Sequence, residues 1–139
     1  MLLEILKPLS RRQIAQLVEF GTLVCFQQDH VAMVENDLPK DLYLMIDGQA
    51  SVWKSDELLV NCGRGTFLGD LGFISDRPSS ATVKINKGAR AIRWNNAELA
   101  EQLRKSPEIR GALFQKLASD ISTKLVRQED EARLESAAI

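Results

Sequence analysis

The sequence predicts a mainly β fold, an antiparallel jelly-roll barrel preceded by one helix and followed by two. Three observations carry this. Short runs rich in β-branched and aromatic residues recur between Thr22 and Trp94, polar turns separate them at close intervals, and helical periodicity is confined to the two ends. Many short strands at such spacing fold into a barrel or two stacked sheets, because each strand has one apolar face to bury. A single domain over 1–139 is expected, with an N-terminal helical segment at 1–21, the barrel at 22–94 and C-terminal helices at 95–139.

Leu2, Leu3, Ile5 and Leu6 form an apolar start before Pro8. Ser10 then caps a helix carrying Ile14, Leu17, Val18 and Phe20 on one face, and Gly21 stops it. Strands are expected at Thr22 to Phe26, Val31 to Val34, Leu42 to Ile46, Ala50 to Lys54, Glu57 to Val60, Ala81 to Ile85 and Ala91 to Trp94. Between them lie the polar turns Gln27-Gln28-Asp29, Asn36-Asp37, Asp47-Gly48, Ser55-Asp56 and Asn86-Lys87-Gly88. Asp47-Gly48 between apolar runs is a hairpin signal, because these residue types tolerate positive φ. His30 reads as a turn residue, and Trp53 and Trp94 as strand residues packed in or on the barrel.

After the barrel, Asn95-Asn96 caps a helix bearing Leu99 and Leu103, and Ser106-Pro107-Glu108 opens another with serine at its cap and proline at its first position. In that last helix Ile109, Leu113, Leu117, Ile121 and Leu125 recur every fourth residue, flanked by Phe114 and Ala118, so the stripe drifts around the axis. Residues 109–118 are expected to pack on the barrel. Ile121, Leu125 and Val126 lie beyond what a small barrel must cover and are expected to serve a homodimer or a partner helix. From Gln128 onward the chain is too polar to need a core, and fraying is expected.

With 139 residues, 45% hydrophobic and 27% charged, the chain can bury one core and is of ordinary globular composition. A formal net charge of −1, with acids and bases interspersed, leaves no basic footprint for nucleic acid, and a helix-turn-helix reader would need chain beyond residue 125. Cys25 and Cys62 lack metal spacing and read as buried free thiols of a reducing compartment. No run of about 18 apolar residues and no cleavable leader is present, so a soluble, cytoplasmic chain without membrane contact of its own is expected. A metal enzyme would need several ligands where this chain offers only His30, and Ser79 and Ser80 have no histidine nearby. No catalytic residue, metal or cofactor is therefore assigned.

The functional signal lies at residues 65 to 83, Gly-Thr-Phe-Leu-Gly-Asp-Leu-Gly-Phe-Ile-Ser-Asp-Arg-Pro-Ser-Ser-Ala-Thr-Val. This reads as a strand breaking into a short helix and then re-entering a strand. Gly69 and Gly72 permit close backbone approach, and so short a helix leaves most of its N–H donors without partners inside it. Such donors attract an anion. The serine hydroxyls add donors, and Arg77 is the only local cation.

On these residues the chain resembles the cyclic-nucleotide-binding domain family. Gly65, Phe67, Leu68-Gly69-Asp70-Leu71 and Pro78-Ser79-Ser80-Ala81-Thr82-Val83 are similar to its phosphate-binding cassette, Phe-Gly-Glu-Leu followed by Pro-Arg-Ala-Ala-Thr-Val. Asp41 to Val52 resembles the family's Tyr-x-Ile-x-x-Gly-x-x-x-Val segment, Glu35-Asn36-Asp37 its Gly-Asp turn, and Leu9-Ser10 with Leu17 its first helix. The resemblance implies a regulatory domain whose ligand is cyclic AMP or cyclic GMP. It implies that the N–H groups of Gly69, Asp70, Leu71, Gly72, Ser80 and Ala81 hold the phosphate and that Ser79 and Ser80 donate hydroxyl hydrogen bonds. It also implies that Asp70 accepts from the ribose, with Thr82 closing the set.

Two departures bear on affinity. The cassette arginine is replaced by Ser79, and the family's glutamate by the shorter Asp70. Loss of a charge-assisted guanidinium contact weakens binding about 10- to 100-fold. Arg77 is the nearest replacement cation, but Pro78 fixes the chain between it and Ser79. Residues 119 to 125, with Trp94, also resemble the end of Popeye domains, which implies a membrane-anchored parent protein. The alternative is an interaction module in which the cassette is only structural and Ile121 and Leu125 make the contact.

Overall fold

The computed structural model describes residues 2–121. Helices α1 (Leu2–Ile5) and α2 (Arg11–Glu19) lead into β1 (Thr22–Cys25), β2 (His30–Met33), β3 (Asp41–Asp47), β4 (Ala50–Lys54), β5 (Glu57–Cys62) and β6 (Phe67–Leu68). Helix α3 (Asp70–Ser75) separates these from β7 (Thr82–Ile85) and β8 (Arg90–Asn95), and α4 (Asn96–Arg104) follows. A last helix, α5, covers 107–121. The strands form two four-stranded antiparallel sheets, in the orders β1-β8-β3-β6 and β2-β7-β4-β5, which is a jelly roll with flanking helices.

Local chemistry explains the helix starts. Ser10 Oγ accepts the Gln13 amide at 3.2 Å while Gln13 Oε1 accepts the Ser10 amide at 2.9 Å, a reciprocal box that satisfies two orphan donors. Asn95 Oδ1 accepts the Glu98 amide at 3.1 Å at the head of α4. Helix α5 begins at residue 107, on the expected proline.

Packing follows the two-residue period of the central strand. Leu42 and Leu44 of β3 join Ile92, Trp94 and Phe67 in a core shared with Leu17, Leu99, Leu103, Leu113 and Leu117 of the helices. The intervening Tyr43 and Met45 point the other way, into a second core between the sheets with Phe26, Met33, Ala50, Val83 and Ile85. Because β3 is buried on both faces, its apolar run is continuous rather than alternating. Trp94 Nε1 donates to the Leu17 carbonyl at 2.8 Å, which ties α2 to β8 through the first core.

Several expectations need correction. Asp47-Gly48 does not close a hairpin, since β3 pairs with β6 and β8 whereas β4 pairs with β5 and β7. It is the corner between the sheets. Gly48 has φ +83°, and a Cβ there would lie 2.6 Å from Ala89 Cα, so glycine lets two backbones cross. The tight hairpin is β4–β5, turning at Ser55 and Asp56 with φ of 50° and 65°.

His30 opens β2 instead of sitting in a turn, and its Nε2 lies 3.4 Å from Tyr43 Oη. Neither cysteine is in a disulfide, but Cys25 is exposed and Cys62 half-buried, because β1 is an edge strand and β5 is open to solvent. On α5, Ile109, Leu113 and Leu117 are buried, Phe114 is half-buried and Ala118 is exposed. Ile121 is half-buried; Leu125, Val126, the tail from Gln128 and most of the Popeye-like stretch lie outside the described residues. Among the described residues no helix is long and apolar enough to cross a membrane.

Candidate functional site

Residues 65 to 83 fold as expected in outline, with β6, a left-handed Gly69, α3, an irregular segment and then β7. The glycines meet the protein's own chain. Gly69 has φ +88°, and a Cβ there would lie 2.8 Å from the Asp41 carbonyl and 3.0 Å from Met33 Cε. At Gly72 a Cβ would press on the Pro39 ring at 3.0 Å. Both close approaches serve internal packing, which seats α3 against the β2–β3 connection.

Some of the expected amide donors are already engaged. Asp70 is buried at 5% exposure, and its Oδ1 accepts the Leu71 amide at 3.1 Å, a favourable place for a carboxylate at a helix start. The Phe73 amide bonds to the Gly69 carbonyl at 3.1 Å. The amides of Gly72 and Ser80 have no hydrogen-bond acceptor among the described residues.

Ser79 is turned inward. Its Oγ donates to the Ala81 carbonyl at 2.6 Å and receives the Ala81 amide at 3.4 Å, a small ring that shapes the entry to β7. Its backbone is held equally firmly: the Ser79 amide donates to the Asp37 carbonyl and the Asn36 amide to the Ser79 carbonyl, both at 2.8 Å. Beside them the Glu35 amide donates to Thr82 Oγ1 at 3.0 Å. Residues 79–82 are thus clamped to residues 35–37. Leu71, Arg77 and Ser80 are exposed, and Arg77 makes no ion pair with any other described residue.

The same connection reaches the C-terminal helices. Asn96, the first residue of α4, donates from Nδ2 to the Pro39 carbonyl at 3.0 Å, and its amide donates to the Lys40 carbonyl at 2.9 Å. Residues 36–41 therefore touch the cassette at Ser79 and Gly72 and the helical end at Asn96. Sequence reasoning found Asn36-Asp37 and the Asn95-Asn96 cap but missed this bridge. The doubled asparagine was its one local signal, since a cap needs only the first.

Titration is perturbed away from the cassette. Burial, and secondarily the negative charge of Asp41, pushes the Tyr43 phenol up from its ordinary value, with Arg93 acting in the opposite sense. The hydrogen bond from Arg104 holds the exposed Glu101 carboxyl below the usual range, and the same bond raises Arg104. Among the described residues no three His, Cys, Asp or Glu side chains group so as to hold a metal. Chemically, the cassette offers the Gly72 and Ser80 amides, which no other described residue engages, the exposed Ser80 hydroxyl and a buried carboxylate, with the Arg77 guanidinium at its solvent side.

The family model of the cyclic nucleotide-binding domain matches residues 23–106, which takes in the whole cassette. Potassium channel KAT3 of Oryza sativa subsp. japonica is 26% identical over 106 residues, 73% of this chain and 21% of the channel. A cAMP-dependent protein kinase regulatory subunit of Hypocrea atroviridis is 29% identical over 82 residues, 59% of this chain and 17% of that protein. The chain thus spans only about a fifth of the length of these relatives. Among solved structures, a cyclic nucleotide-binding domain from Methylobacillus flagellatus superposes with a TM-score of 0.84 at 17% identity, covering 96% of this chain and 81% of that one. That likeness speaks for the fold. With the family model matched over more than half of its residues, this chain belongs to the cyclic nucleotide-binding domain family.

Proposed function

We propose that this domain is a regulatory sensor whose cassette binds a cyclic nucleotide, cyclic AMP or cyclic GMP, with reduced affinity. The observation that carries the reading is the family match over residues 23–106, which takes in residues 65–83, on a barrel whose strands and glycine turns keep the cassette in place. In this reading the phosphate meets the amides of Gly72 and Ser80 and the Ser80 hydroxyl, and Asp70 receives a ribose hydroxyl. Ser79 supplies no charge where the family carries arginine, so a contact worth roughly 1.5–3 kcal/mol is missing. Binding would be transmitted through residues 36–41 and Asn96 to α4 and α5, to the extent that the ligand prefers one helix arrangement. The output is regulation of a larger, cytoplasmic or membrane-anchored protein, with no chemistry performed here.

One observation favours a second reading, an interaction module that dimerises or docks a partner through Ile121 and Leu125. The Ser79 hydroxyl and the Leu71 and Ala81 amides are already satisfied inside the protein. A titration distinguishes the two. At about 100 times the dissociation constant a true ligand adds roughly 2.7 kcal/mol of stability, a plain rise in melting temperature. The expected result is a shift with millimolar cyclic AMP or cyclic GMP, and binding about 10- to 100-fold tighter in Ser79→Arg. Absence of any shift in both proteins would hand the case to the interaction module.

A further inference from the structure

Between α3, α4 and α5 lies a cleft of about 460 Å³ that the cassette chemistry does not use. Phe73, Leu103, Pro107 and Phe114 give it apolar walls, and Arg104 and Arg110 stand at it as cations. Leu103 is fully buried and Phe73 and Phe114 half-buried, with their rings packed edge to face at 5.7 Å. Three separate elements thus converge on one apolar hollow, whose volume falls in the range of small-ligand sites.

The charges at the cleft are unequal. Arg104 is engaged by Glu101, through Nε at 3.1 Å and Nη2 at 2.7 Å. Arg110 forms no ion pair with any other described residue, and its guanidinium lies 4.6 Å from the Phe114 ring centre. Stacking on an aromatic face fixes the plane of the guanidinium while leaving its N–H edge to meet an anion. An apolar hollow with one positioned guanidinium that no other described residue pairs complements a molecule with an apolar body and a single anionic head.

We propose that this cleft is a binding site for a small amphipathic organic anion, a carboxylate or sulfonate whose hydrocarbon part lies against Phe73, Leu103 and Phe114 and whose head pairs with Arg110. An occupant there would brace α3, the helix that opens the cassette, against α4 and α5.

The test uses the full 139-residue chain without nucleotide, so that it is independent of the cassette reading. The probe is 8-anilinonaphthalene-1-sulfonate, whose fluorescence rises in apolar surroundings, with decanoate and decanol as competitors. Saturable binding, displacement by decanoate, and displacement by decanol about tenfold weaker are expected, since only decanoate offers the guanidinium a charge. Ala100→Trp, made at an exposed cleft position of α4, should fill the hollow and abolish binding. Arg110→Gln should weaken decanoate about tenfold and leave decanol unchanged. Melting curves establish that each variant is folded, and if Ala100→Trp is not, Arg110→Gln decides alone. Probe binding that survives in folded Ala100→Trp, decanoate binding undiminished in Arg110→Gln, or decanol equal to decanoate would overturn the proposal. So would a dimer in sedimentation that Ala100→Trp splits, because a second chain would then be what covers the cleft.

Discussion

The two sheets of the barrel face different surroundings. The β1-β8-β3-β6 sheet is roofed by helices over its inner strands, where the outward residues Leu42, Leu44, Phe67, Ile92 and Trp94 are at most 4% exposed. Only at the edge strand β1 does a large apolar residue of this face, Leu23, stand open at 59% among the described residues. The β2-β7-β4-β5 sheet has no such roof among the described residues, and Val31, Leu58, Leu59 and Val60 on its two edge strands are each about half exposed. Val34, Leu38 and Leu71, in the segments beside it, are open as well. The non-glycine residues with positive φ, namely Asn36, Ser55, Asp56 and Asp76, all flank this second sheet or the cassette. One half is held by burial. The other carries most of the exposed apolar surface and the sparsely populated backbone conformations among the described residues, features that tend to mark functional regions.

The largest expected effect tests the contrast directly. Trp94→Ala should cost about 3–5 kcal/mol in urea unfolding, through lost burial and the lost bond to Leu17. Leu59→Ala on the open face should stay within about 0.5 kcal/mol. Equal costs would erase the distinction between the halves. Gly69→Ala should come next, at roughly 1–3 kcal/mol, because alanine must adopt left-handed φ with its Cβ against the Asp41 carbonyl. If that variant is as stable as the parent, the seating of α3 on the β2–β3 connection has been misread.

Asn96→Ala should lose about 1 kcal/mol with the bond to the Pro39 carbonyl. Under the sensor reading it should also reduce any ligand-dependent change reported from α5, which a merely structural residue would leave intact. The smallest effect sits between the sheets. The Tyr43 phenol is raised when folded, so the stability it confers is complete below the unfolded value of about 10 and falls as pH climbs through the folded one. Tyr43→Phe should flatten the alkaline limb of a pH–stability curve; an unchanged limb would mean that another group titrates there.

Much of the fold could be read from local chemistry. Ser10, Asn95 and Pro107 mark helix starts because a cap acts within one turn, and β4 was legible to the residue because Ser55-Asp56 and Asp47-Gly48 bound it. What escaped depends on distant partners. Gly48 has the positive φ a hairpin needs, yet whether its flanking strands pair with each other is decided by β5, β7 and β8. The cassette was legible as a position, but the direction of the Ser79 hydroxyl follows from a segment clamped by Asn36 and Asp37, some forty residues earlier. Asn96 finds its acceptor 57 positions away. A rotatable donor announces a hydrogen bond without naming its partner.

The chain's two tryptophans fall one to each sheet. Trp94 is sealed at 1% exposure, whereas Trp53 is half-buried, donates to Ser51 Oγ at 2.8 Å and has the Lys84 ammonium 5.2 Å from its ring centre. Native emission is therefore the sum of a blue-shifted and a red-shifted chromophore, each reporting on its own side of the barrel. Replacing Trp53 with phenylalanine leaves a single tryptophan, at the seam between α2 and β8. Coincident transitions from the two dyes that nature has installed would mark the barrel as one cooperative unit, and separated ones as two.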